Sequence, residues 1–240
     1  MAAFLELCVR AKRNLVISGG TGTGKTTLLN ILSSFIPHGE RVITIEDSAE
    51  LRLPQEHVVR LETRPPNIEG TGAIPIRELV RNALRMRPNR IVVGECRGNE
   101  AVDMLQAMNT GHEGSMTTLH ANTPEDAVRR LENLILFAGK DLPLNAIRDL
   151  IFSAIHVIVQ ISRFPDGTRK VSSVAEMSSV HDGQIRLQPI FRFFRKQVTD
   201  GGGAISGEHS ATGVIPAFVE EQRQYGMGVD MSMFVPTVND

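Results

Sequence analysis

The chain has 240 residues, of which 41% are hydrophobic and 22% charged, ordinary globular proportions that exclude collagenous, disordered and disulfide-scaffold classes. Its 26 basic and 27 acidic side chains leave a formal charge of −1, so overall charge does not drive binding to DNA or an anionic membrane. Ten Phe, one Tyr and no Trp supply little for stacking on nucleic-acid bases.

The apolar positions 4, 5, 8 and 9 follow helical spacing, so the chain opens inside a helix over 3–9. Glu6 interrupts that stretch, and no signal-peptide pattern is present. Residues 14–18 (Asn-Leu-Val-Ile-Ser) read as a buried strand, followed by a glycine-rich turn and a helix over 26–35. Strands are expected over 41–46 and 57–63, then a stiff loop over 64–70, where tandem prolines forbid helix. Ile76, Leu79, Val80, Ala83 and Leu84 form one helical face, ended by Pro88. A strand over 91–95, a helix over 100–108 and a strand over 115–120 follow. Thr123-Pro124-Glu125-Asp126 caps the next helix with a hydroxyl, a first-turn proline and two acids. This alternation predicts an α/β domain with a mainly parallel sheet over 1–141.

Beyond Gly139 the pattern changes to a helix over 144–155 and strands over 157–162, 170–177 and 184–190, a small α+β extension occupying 142–199. The most apolar run, 150–161, falls short of the roughly 20 residues of a membrane span. Asp200-Gly-Gly-Gly-Ala204 reads as a flexible linker, and 200–240 as linker and loosely attached tail with one short helix over 215–224. Cys8 and Cys96 stand far apart without metal spacing and point to a reducing compartment.

Gly19-Gly-Thr-Gly-Thr-Gly-Lys25-Thr26 fits G-x-x-x-x-G-K-[ST] between a buried strand and a helix. Glycines let amides converge on phosphate oxygens, and the helix N-terminus adds its positive end. Nucleotide binding is therefore expected at Gly20, Thr21, Gly22, Thr23, Gly24, Lys25, Thr26 and Thr27, with Lys25 on the β- and γ-phosphates and the Thr26 hydroxyl on Mg²⁺. An acid near the metal is expected at the end of a neighbouring strand. Two places offer one: Glu46-Asp47 continuing to Glu50, and Glu95. His112 and His120 flank a strand without zinc spacing; His120 is a candidate to sense the γ-phosphate or position water. Arg77, Arg81 and Arg85 form a helical stripe, read either as a solvated face or as charge stabilisation of phosphate. Cys96 reads as a wall residue, not a nucleophile.

With Gly19–Thr26, 43–51, 91–97 and 110–122 in this order, the chain resembles the secretion or traffic ATPase superfamily, hexameric motors of type II secretion, type IV secretion and type IV pili. The four runs match its Walker A, Asp, Walker B and His boxes. Leu61-Glu-Thr-Arg-Pro-Pro-Asn-Ile-Glu-Gly70, Leu84-Arg-Met-Arg-Pro88, Gly94-Glu-Cys-Arg-Gly98 and Met104-Leu-Gln-Ala-Met-Asn-Thr-Gly-His112 are similar to its tight-adherence (Flp) pilus branch. The resemblance covers about residues 1–195, with 210–234 similar more loosely.

The resemblance implies a RecA-like P-loop NTPase core using ATP and Mg²⁺. It implies Glu50 as general base supported by Glu46 and Asp47, Glu95 holding Mg²⁺ through water, and His120 near the γ-phosphate, with Lys25 as the fourth catalytic residue. A homo-oligomer, a hexamer in the intact family, would work on inner-membrane platform proteins from the cytoplasmic side as a peripheral protein. The expected function is to energise Flp pilus assembly or secretion; a type IV secretion ATPase for protein or DNA is the alternative. Only 18 residues precede the glycine run, so the family's N-terminal domain, which covers adenine and supplies arginines, is not expected here. A truncated ATP-binding module with little activity alone is the third reading.

Overall fold

The computed structural model describes residues 1–139, 142–196, 205–224 and 228–238. Helix α1 (Ala2–Arg10) leads into β1 (Leu15–Gly19) and α2 (Lys25–Ser33), followed by β2 (Val42–Glu46), β3 (Val58–Glu62) and α3 (Ile76–Ala83). Then come β4 (Arg90–Cys96), α4 (Glu100–Asn109), β5 (Met116–Leu119), α5 (Pro124–Phe137) and α6 (Leu144–Ala154). The chain continues through β6 (Val157–Arg163), β7 (Arg169–His181), β8 (Gln184–Arg195), β9 (Gly207–Ala211), α7 (Ala217–Gln224) and a 3-10 turn, Met231–Phe234.

All nine strands belong to one sheet in the order β3-β2-β4-β5-β1-β6-β7-β8-β9. The six strands from β3 to β6 pair in parallel, and β6 to β9 pair antiparallel. The expected α/β architecture with a mainly parallel centre is thus observed. Strands β1 and β2 are buried at every position, because helices cover both faces; hence their unbroken apolar runs. Val16, Ile43, Ile45 and Val93 pack beneath α3, α4, α5 and α6. Leu15, Ile17, Val42 and Val92 face the other way, towards α1, α2 and the C-terminal segments. Helix α5 begins where Thr123 accepts the Asp126 amide at 3.0 Å, with Pro124 in its first turn.

Strand β6 pairs directly with β1, so the extension after Gly139 continues the central sheet. Strands β7 and β8 run 13 and 12 residues, longer than the sequence pattern predicts, because the hairpin carries exposed polar residues at its far end. The tail is tied in more closely than its composition suggests. Strand β9 pairs with β8 from Phe191↔Ala211 to Arg195↔Gly207, and Phe218 and Phe234 are buried. Their rings stand 6.0 and 5.7 Å from that of Phe4 in α1. The linker expected at 200–204 lies outside the described residues.

Two half-buried titrating groups, Glu176 and His156, both feel the charge of Arg13. Burial pushes the Glu176 carboxyl up to about 7, against the pull of the Ala217 amide and Arg13. Burial, reinforced by Arg13, pushes His156 down to about 4; its Nδ1 accepts the Asn14 amide at 3.0 Å. Glu176 favours the fold while protonated, so its contribution is complete below about 4.5 and is lost as pH rises through 7. His156 favours the fold while neutral, so its contribution is lost as pH falls from 6.5 through 4. Between those limits the two oppose each other. Glu176→Gln should match wild type at pH 5 and exceed it at pH 8 by about 1–2 kcal/mol, after discounting for partial exposure. Urea midpoints at the two pH values check this, and equal offsets at both would refute it.

Candidate active site

An open cleft of about 580 Å³ lies where the carboxyl ends of the parallel strands meet the glycine-rich turn. Ligands of open α/β sheets bind at that edge. Strand β1 ends at Gly19 and α2 starts at Lys25, so 20–24 must reverse direction in five residues. Gly22 and Gly24 do so with φ of 69° and 97°, conformations that cost a side-chain-bearing residue. At Gly19 the constraint is space: a Cβ would stand 2.6 Å from the Thr23 hydroxyl and 2.7 Å from the Ile161 carbonyl. No side chain caps α2, which leaves its first amides open to an anion. Lys25 Nζ donates to the Gly20 carbonyl at 3.1 Å, and Thr23 Oγ1 to the same oxygen at 2.9 Å. Burial lowers the Lys25 ammonium from its ordinary value, while Glu95 works the other way.

Strand β2 ends at Glu46, whose carboxylate is buried and accepts the amides of Glu50 and Leu51, both at 3.0 Å. Asn30, on α2, accepts the Arg52 amide at 2.7 Å and donates to the Glu50 carbonyl at 3.3 Å. The turn is therefore pinned on both sides, and the exposed Glu50 side chain projects into the cleft. Gly94 is small for the same reason: a Cβ there would stand 3.1 Å from Glu46 Cγ.

Glu95 leaves β4 one residue before its end and lines the cleft with Thr26, Thr27 and His120, the residue just beyond β5. The Thr118 hydroxyl donates to the Gly94 carbonyl at 2.7 Å, tying β5 to β4 beside the acid. Burial pushes the Cys96 thiol well above its ordinary value, with Glu100 and Glu95 adding to the effect; a thiol held protonated is a poor nucleophile.

The structure thus brings together Thr21, Gly22, Gly24, Lys25, Thr26, Thr27, Glu50, Glu95 and His120. Gly20 and Thr23 form the back of the turn and line a separate hollow with Gln160 and Arg163. His112 precedes β5 at the opposite edge of the sheet, where its Nδ1 is buried without a partner. The arginine stripe also lies elsewhere. Arg77 and Arg81 reach Asp103 on α4, at 2.7 and 3.6 Å, and within this chain neither lines the cleft. Glu46, expected as a supporting acid, acts on the backbone of the turn that carries Glu50. Three contributors carried no isolated signal in the sequence: Asn30 acts on the same turn, Arg97 reaches Glu95, and Arg169 enters from β7. The Gly94–Gly98 run that includes Arg97 was the nearest available cue.

Residues 1–187 match the family model described as type II/IV secretion system protein. The type IV secretion system protein PtlH of Bordetella pertussis is 43% identical over 163 residues, 67% of this chain and 48% of its own length. VirB11 of Bartonella quintana is 40% identical over 174 residues, 72% of this chain and 48% of its own. Among solved structures, the VirB11 ATPase of the Brucella suis type IV secretion system, in complex with sulphate, matches with a TM-score of 0.66 and 37% identity. That match covers 73% of this chain and 51% of that one. The chain therefore spans about half the length of the curated relatives it matches. A secretion ATPase with this sheet supports the RecA-like core expected from the four boxes. No helix among the described residues is long and apolar enough to cross a membrane. With the family model covering residues 1–187, the chain belongs to the type II/IV secretion system protein family.

Proposed function

We propose that the chain is the ATP-hydrolysing motor domain of a secretion system, working as a hexamer on membrane platform proteins from the cytoplasmic side. The observation that carries this reading is the convergence of Lys25, Thr26, Glu50, Glu95 and His120 on one cleft. The amides of the glycine turn and the Lys25 ammonium bind and orient the phosphates. Glu50, pinned through Glu46 and Asn30, takes a proton from the attacking water. His120 stands on the side of β5 from which it can contact the γ-phosphate or orient that water. The donor set fits Mg²⁺: it offers the Thr26 hydroxyl and the Glu95 carboxylate beside an open face. Phosphate-bound Mg²⁺ takes one or two carboxylates, with water and phosphate oxygens as the remaining ligands. Among the described residues no cluster of three or more His, Cys, Asp or Glu forms an all-protein cage. When bound there, Mg²⁺ supplies charge neutralisation of the phosphates.

The named relatives are type IV secretion proteins, which favours a type IV secretion motor over the tight-adherence pilus motor expected from the 61–70 and 94–98 stretches. A second reading is an ATP-binding module with little turnover of its own. Calorimetric titration with Mg-ATP together with a phosphate-release assay separates these. Binding with turnover supports the motor, and binding without turnover supports the module. No binding at all would sink both.

A further inference from the structure

Glu95 in the cleft and Asp47 beside it are already engaged. Arg97 Nη2 donates to Glu95 Oε2 at 2.6 Å, and Nη1 reaches Asp47 Oδ2 at 3.2 Å. One guanidinium thus bridges the ends of β4 and β2. Lys25, a second cation of the cleft, makes no salt bridge among the described residues; its ammonium is turned back onto the Gly20 carbonyl. The backbone that presents Arg97 is fixed: the nearly buried Glu100 carboxylate accepts the amides of Arg97 at 2.6 Å and Gly98 at 2.8 Å. Gly98 permits that approach, since a Cβ there would stand 3.0 Å from Glu100 Oε2. Arg97 itself is 63% exposed, so its head is free to move while its backbone is not.

From this geometry we infer that Arg97 is a positioning residue that holds the Glu95 carboxylate in place, and that it must release Glu95 for that carboxylate to serve the metal. This rests on the nucleotide-site reading above. Two carboxylates at neighbouring strand ends repel each other without a cation between them. A forked guanidinium meets that need, holding Glu95 in the place where it will be used. The hold is weak by construction, because exposed ion pairs contribute little. Release therefore opposes metal uptake only several-fold.

The test measures Mn²⁺ binding by the electron paramagnetic resonance of free Mn²⁺, with the chain saturated by a non-hydrolysable ATP analogue. Arg97→Ala should tighten Mn²⁺ binding roughly two- to fivefold, the scale of an exposed pair removed, and leave analogue affinity in EDTA unchanged. Arg97→Lys keeps the charge but cannot span both acids, so it should recover most of the same gain. Unchanged or weaker Mn²⁺ binding in Arg97→Ala would overturn the inference. So would wild-type behaviour in Arg97→Lys, which would reduce the effect to net field. A loss of analogue affinity in EDTA would make Arg97 a phosphate ligand and equally overturn it. If the wild-type chain fails to bind the analogue, the nucleotide-site reading itself has failed; normal binding with unmoved Mn²⁺ affinity sinks only the role of Arg97. Thermal melts confirm that both exposed-site variants remain folded.

Discussion

Lys25→Ala is expected to lower ATP affinity by roughly 10²-fold, the scale of losing charge-assisted hydrogen bonds to phosphate. The Lys25 side chain contributes one hydrogen bond to the folded chain, to the Gly20 carbonyl, so the loss should appear in binding with little change in thermal stability. Glu50→Gln should do the opposite within the same site. Its side chain enters the cleft from a turn held by Glu46 and Asn30, and glutamine preserves the shape while removing the proton acceptor. Turnover should fall by at least about 10²-fold with ATP affinity nearly unchanged. Titration calorimetry and phosphate release on both variants give a double dissociation. If Lys25→Ala retains wild-type affinity, the glycine turn is not the phosphate site. If Glu50→Gln turns over normally, the base lies elsewhere.

What could be read in advance follows from how local each interaction is. The glycine turn was legible because its geometry is set by consecutive residues between a strand and a helix. The acids at 50 and 95 were legible because strand ends in a parallel sheet collect at one edge, whatever the strand order. The supporting groups depend on that order. Strand β2 pairs with β4, which puts Glu46 against Gly94 and Arg97 within reach of Asp47; neither contact has a sequence period. The arginine stripe had the right period, but its partner Asp103 sits on another helix. Strand β9 shows no apolar alternation because it runs along the sheet edge, and its pairing is decided by β8. The same holds for the tail: Phe218 and Phe234 are isolated in sequence and meet only on Phe4, so no local signal separates them from a loose end.

The end of the sheet opposite the cleft carries the second large effect. Arg90 opens β4, is completely buried, and pairs through Nε and Nη2 with the Glu40 carboxylate. Its Nη1 donates to the Val9 carbonyl at 2.6 Å, closing off the C-terminal turn of α1. Gly114 accommodates it: a Cβ there would stand 2.5 Å from Nη1. One side chain therefore joins α1, β4, the approach to β2 and the approach to β5. Arg90→Met removes the charge, leaves the Glu40 carboxylate without its partner and strips the Val9 carbonyl of its donor. Breaking a buried pair this way costs about 3–5 kcal/mol, equivalent to roughly 10 °C in melting temperature for a chain of this length. Adding Glu40→Gln to Arg90→Met should restore part of that loss, because the carboxylate rather than the missing attraction carries much of the cost. Glu95 lies at the far end of the same strand, where the pairing with β5 continues to Cys96↔Leu119 and does not involve Arg90. ATP affinity measured well below the melting transition should accordingly stay near wild type. A fall in affinity at low temperature, or a melting temperature unmoved by Arg90→Met, would show that the two ends of β4 are not separable in this way.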